Sequence, residues 1–100
     1  MTVYVDQMMN NLWKLHGKYV KNCHMWSDNT TQELLDFVEK IGLKKEWVQK
    51  SRIGWVHFDL VESYREKAVK NGAVPITNRQ AGKMIIEYRK KERKSTHEML

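Results

Sequence analysis

The pattern of apolar and polar positions changes character several times along this 100-residue chain. Thr2-Val3-Tyr4-Val5 is a β-branched and aromatic run that predicts a strand, with Asp6 ending it. Residues 7–29 keep no clean period. Gln7 to Trp13 predicts a short helical turn, Gly17-Lys18 a turn, and Val20 to Met25 a second short strand. So long a stretch without clear elements is uncommon in a compact domain and is often functional.

Helical periodicity then takes over. Thr30-Thr31-Gln32-Glu33 is a capping-box pattern, followed by Leu34, Leu35, Phe37, Val38 and Ile41 on one face and by Gly42 as terminator. Lys44 to Lys50 predicts a connecting turn or short helix that carries Trp47, and Ile53 to Phe58 predicts a strand or extended segment. Asp59-Leu60-Val61-Glu62 reads as a second cap, opening a helix that places Val61, Tyr64 and Ala68 inward and closes at Asn71-Gly72. Ala73-Val74-Pro75-Ile76 predicts a short strand, which Pro75 places at an edge or ends early in its pairing. Thr77 to Gln80 opens a third helix, in which Ala81, Met84, Ile85 and Tyr88 form one buried stripe.

Strands alternating with helices predict a single α/β domain over residues 1–100. Its expected sheet has three to four mainly parallel strands, accompanied by about three helices. Residues 89–100 are expected to form a basic, partly frayed tail. In open parallel sheets ligands sit beyond the carboxyl ends of the strands. Asp6 and the His57–Asp59 pair both fall at predicted strand ends, and right-handed crossovers would bring those ends to one edge.

The net charge of +6 favours phosphate-bearing partners, small molecules or nucleic acid. Tyr88 to Lys94 holds five basic residues and one acidic, which suits either a solvated helix end or a nucleic-acid arm. Cys23 is the single cysteine, so no intrachain disulfide can form. The start of the chain lacks a signal-peptide pattern, and no run has the length of a membrane span. These features predict a cytoplasmic protein with no membrane partner, and they leave homo-oligomerisation open.

Two imidazoles with nearby carboxylates can bind a divalent ion or shuttle protons near neutral pH. His57 and Asp59, two apart, share one face of a strand. They supply either ligands or an oriented acid–base pair, although Asp59 also fits the helix cap. His24 has no evident structural duty. Asp6 and Asp28 join His57 and Asp59 as candidate metal ligands, with loop or turn bonding as their alternative roles. His24, His57 and Asp59 are the candidate catalytic residues. Arg65 and Lys18 are candidate phosphate contacts, Arg65 having a salt bridge to Glu62 or Asp59 as its alternative. Trp47 is a candidate ligand contact, and Trp26, Trp47 and Trp55 can either stack a base or fill the core. Phosphate-binding loops, dinucleotide fingerprints, serine elbows and paired cysteine motifs are all absent, which excludes the enzymes built on them.

Taken in order, several stretches resemble a family of short bacterial and phage proteins known as domain of unknown function 4031. They are Thr2 to Asp6, His24-Met25 with Asp28, Glu33-Leu34, Ile41-Gly42, and Trp47 with Gln49. His57-Phe58-Asp59-Leu60 follows, then Ser63, Arg65, Ala68-Val69, Gly72-Ala73, Ile76-Thr77 and Arg79. Leu35 stands where the family often has histidine, and Ser27 where it often has alanine. The resemblance implies a phage or bacterial origin and supplies no reaction.

The residues therefore predict a His/Asp pocket that binds a phosphate-containing nucleotide or nucleic-acid end. If the protein is an enzyme, phosphoester or phosphodiester hydrolysis is expected. That chemistry has two routes: around Mn²⁺, Mg²⁺ or Zn²⁺, or metal-free with two histidines as acid and base. The alternatives are a non-enzymatic nucleotide-sequestering protein, a basic nucleic-acid-binding module, and an interaction factor without a ligand.

Overall fold

In the computed structural model these runs resolve into six strands and three helices among the described residues. Described are residues 2–15, 18–52 and 54–98, apart from the side chains of 10–20 and 91–98. The order is β1 (Val3–Val5), β2 (Met9–Leu15), β3 (Lys18–Ser27), α1 (Thr31–Lys40), β4 (Gln49–Lys50), β5 (Val56–Leu60), α2 (Glu62–Lys70), β6 (Val74–Pro75) and α3 (Asn78–Glu98). A 3₁₀ turn at Lys45–Trp47 precedes β4.

The sheet is mixed rather than mainly parallel. Its strand order is β4-β5-β3-β1-β6, with β2 pairing to β3 beyond that path. Among the described residues only β1 and β6 pair in parallel; β3 runs antiparallel to β1, β2 and β5. Because β1 and β5 both oppose β3, they point the same way, as the strand–helix alternation requires. What reverses the sheet between them is the stretch that lacked a period. It is a hairpin, and its first arm, β2, replaces the helical turn expected at Gln7–Trp13. The pairing moves from Met9↔Asn22 to Trp13↔Val20 with an irregularity between them. Such a bulge shifts the two-residue alternation and hides a strand from pattern reading.

Strand β5 also departs from expectation. It begins at Val56 and continues through Asp59 to Leu60, while the expected start, Ile53, lies outside the described residues. Val61 is the N-cap of α2 and makes no side-chain cap bond. Asp59 is therefore a strand residue and not a helix cap.

Alternate strand residues face opposite sides of the sheet. Val3, Val5, Cys23, Met25, Phe58 and Leu60 pack against Leu34, Val38 and Ile41 from α1 and its C-terminus, and against Ala68 of α2. On the other side Tyr4, Trp26 and Trp55 meet the expected stripe of Ala81, Met84, Ile85 and Tyr88 on α3. Thr30 Oγ1 accepts the Glu33 N–H at 3.1 Å, and Gly42, at φ 78°, ends α1 as the sequence predicts. A reciprocal box opens α3: Gln80 N–H donates to Thr77 Oγ1 at 3.1 Å and Thr77 N–H to Gln80 Oε1 at 2.9 Å. Among the described residues, no helix is long and apolar enough to cross a membrane.

Candidate functional site

Sheet register assembles the site. The Asp6 N–H donates to the His24 carbonyl at 3.2 Å, and His24 pairs with Asp59 across β3 and β5. Asp6, His24 and Asp59 thus form one lateral row over three neighbouring chain segments. His57 lies two residues before Asp59 on β5 and shares its face. The strand-end placement expected for His57 and Asp59 is replaced by cross-strand neighbourhood inside the sheet.

Asp6 is buried, 3% exposed, and both its carboxylate oxygens serve His24. The His24 backbone N–H donates to Oδ1 at 2.6 Å, and His24 Nδ1 donates to Oδ2 at 2.8 Å. His57 Nδ1 donates to the Trp55 carbonyl at 3.2 Å. Each bond fixes the ring's hydrogen on Nδ1, which leaves Nε2 for other partners. His24 Nε2 is 3.8 Å and His57 Nε2 3.9 Å from Asp59 Oδ1.

One donor atom from each of His24, His57 and Asp59 lies within 4.8 Å of the other two. Metal–ligand bonds of about 2.0–2.2 Å place neighbouring ligands roughly 3–3.5 Å apart. The two nitrogen–oxygen separations would close by about half an ångström to grip an ion, and the two imidazoles would draw together with them. A ligating histidine ordinarily donates its other ring N–H to a carboxylate or a backbone carbonyl. Here His24 has the first partner and His57 the second. Two imidazoles and one carboxylate suit Zn²⁺, Mn²⁺ or Fe²⁺ better than Mg²⁺, which favours oxygen ligands.

The two histidines are displaced in opposite directions. The Asp6 hydrogen bond, outweighing burial, raises His24 above the ordinary value of 6.5. Burial, opposed by the Trp55 carbonyl and by Asp59, holds His57 below it. Titratable neighbours pushed apart in this way are suited to acid and base roles. The Cys23 thiol, buried in the opposite face, is pushed up to about 12, chiefly by burial, and behaves as the small hydrophobe the sequence suggests.

Trp55 is the member that sequence reasoning left undecided. Its ring stacks on His57 at 4.2 Å and 19°, and lies 5.5 Å from His24 and 5.4 Å from Trp26. The signal was present: Trp55 is two residues before His57, as His57 is before Asp59.

Other candidates go elsewhere. Asp6 orients His24 from behind rather than joining the three converging atoms. Asp28 lies outside the cluster, accepting the Thr2 N–H at 2.8 Å and the Tyr4 hydroxyl at 3.4 Å. Arg65 forms no ion pair with Glu62 or Asp59 among the described residues; its Nε donates to the Asp6 carbonyl at 2.9 Å, bracing Asp6. Trp47 is exposed on its turn beneath the Lys44 ammonium, and the indole beside the histidines is Trp55. The Lys18 side chain lies outside the described residues.

The family model described as a protein of unknown function, DUF4031, matches residues 3–88. No curated protein and no solved structure matches the chain.

Proposed function

The chain belongs to the family of unknown function DUF4031, and we propose, from the site its strands assemble, a divalent-metal centre that binds and hydrolyses a phosphate ester. The observation that carries this reading is the convergence of His24 Nε2, His57 Nε2 and Asp59 Oδ1, with both opposite ring nitrogens already bonded. An ion held there would make water nucleophilic near neutral pH and neutralise phosphate charge. His24 and His57 bind it through nitrogen, Asp59 supplies the negative ligand, and Asp6 holds His24 in the required tautomer. The surplus of basic residues favours an anionic substrate. A cytoplasmic location accords with the free, buried thiol of Cys23.

The opposed titration of the two histidines supports a second route through the same residues. In it, neutral His57 takes a proton from water and protonated His24 delivers one to the leaving oxygen. Chelation separates the routes.

The test is hydrolysis of bis(p-nitrophenyl) phosphate and p-nitrophenyl phosphate, together with calorimetric titration of Zn²⁺ and Mn²⁺. Under the metal reading, chelator abolishes turnover and one ion rebinds per chain. His24→Ala and His57→Ala each lose turnover and metal while their circular dichroism stays native. Activity that survives chelation but not the histidine variants selects the metal-free route. Full activity in both variants refutes the site altogether. Stoichiometric ligand recovered unchanged would make the protein a sequestering binder.

A further inference from the structure

A groove of about 410 Å³ is lined in part by Trp55, the indole that stacks on His57. Its walls are Trp26, Trp55, Met84 and Tyr88, and its rim carries Asp28, Lys83 and Glu87. Its volume falls within the range of small-ligand sites. We infer that this groove holds the base of a nucleotide whose phosphate reaches the His24–His57–Asp59 centre. The inference rests on the phosphate-ester reading and names its substrate class.

Three observations point to this occupant. Flat rings are favoured by the walls, because indole, phenol and thioether surfaces contact aromatic ligands well from face or edge. The Tyr88 wall is fixed, since its hydroxyl donates to the Gly54 carbonyl at 2.9 Å. Charge on the rim is mixed. The exposed Glu87 carboxylate suits ring and exocyclic N–H donors, while the exposed Lys83 offsets the acidic rim for an anionic ligand. Finally, Trp55 belongs to both places: it lines the groove and stacks on His57 at 4.2 Å. Groove and centre thus share one indole, and a nucleotide with its base in the groove would carry its phosphate past that ring by way of the sugar. A lone base or a lone phosphate engages one side only.

The test uses metal-free protein, so that it does not depend on hydrolysis. AMP, GMP, CMP and UMP are titrated calorimetrically beside ribose 5-phosphate, which has the phosphate and no base, and N-acetyltryptophanamide, which has a ring and no phosphate. At least one nucleotide is expected to bind about 10- to 100-fold more tightly than ribose 5-phosphate, the measure of base stacking on an aromatic wall. Lys83→Phe, an exposed change that fills the groove, should remove that advantage and leave Zn²⁺ affinity unaltered. Lys83→Ala should weaken nucleotides only modestly and so controls for the lost charge. Equal binding of nucleotides and ribose 5-phosphate overturns the inference. So does absence of nucleotide binding, tighter binding of N-acetyltryptophanamide, or an undiminished advantage in Lys83→Phe. If a nucleotide binds as described and is never hydrolysed, the groove stands and the hydrolase reading falls.

Discussion

Replacing Asp6 by asparagine removes one negative charge while keeping the shape of a side chain that is 3% exposed. The amide oxygen introduced by Asp6→Asn can still accept the His24 backbone N–H, so one of the two bonds survives. The other is inverted: an amide NH₂ facing Nδ1 wants an acceptor there, which drives the ring hydrogen to Nε2. That nitrogen is the one offered to a metal. Loss of a bond to a charged group costs about 1.5–3 kcal/mol of stability. In a domain of this size each kcal/mol lowers Tm by roughly 4–8 °C. Disturbing the partner of a ligating histidine costs about 10- to 100-fold in metal affinity. The variant should also lose the lift on the His24 pKa, whose largest cause is the Asp6 hydrogen bond. Zn²⁺ calorimetry at pH 7 measures the affinity, and ¹⁵N-edited NMR of the imidazoles reads the tautomer. A destabilised variant with wild-type Zn²⁺ affinity and an unaltered His24 tautomer would show that Asp6 only props the fold.

Three further outcomes are expected. The metal-free protein should be most stable near the ordinary histidine value of 6.5: His24, raised, gives stability that is complete below that value and lost as pH rises through its folded pKa. His57, lowered, gives stability complete above it and lost as pH falls through its own. Thermal melts from pH 4 to 9 check this, and His57→Ala should flatten the acid limb. Phe58→Ala, at a fully buried position of the α1 and α2 face, should cost about 3–5 kcal/mol in urea unfolding. Gly42→Ala, at φ 78°, should cost roughly 1–2 kcal/mol by the same assay, and a smaller loss would mean that the α1 terminus relaxes.

Local signals in the sequence were legible where one side chain decides the outcome. Thr30, Thr77, Gln80 and Gly42 fix helix ends through bonds reaching only a few residues, and the stripe from Ala81 to Tyr88 reports burial directly. Pro75 announces an edge strand, and β6 does lie at one edge of the sheet. Direction and register were not legible, because both are properties of pairs of strands. The irregularity between Met9 and Trp13 concealed β2, and with it the hairpin that turns β3 against β1 and β5. His24, His57 and Asp59 could be picked out by residue type, yet the reason they meet is the pairing of His24 with Asp59. The same gap explains Asp28 and Asp6. Both are acids near strand ends, and only the ladder shows that Asp6 stands behind His24 while Asp28 ties down Thr2 and Tyr4.

Since His24 and Asp59 sit abreast on adjoining strands and Asp6 is bonded beside them just past β1, the centre has no hinge of its own. Inserting or deleting one residue between Val20 and His24 would turn the imidazole toward the apolar layer and bring Cys23 or Met25 to the polar side. Length variation is therefore forbidden within this part of β3. Amide exchange at His24 should accordingly follow the unfolding of the whole sheet, and the pocket should survive intact until the protein itself comes apart.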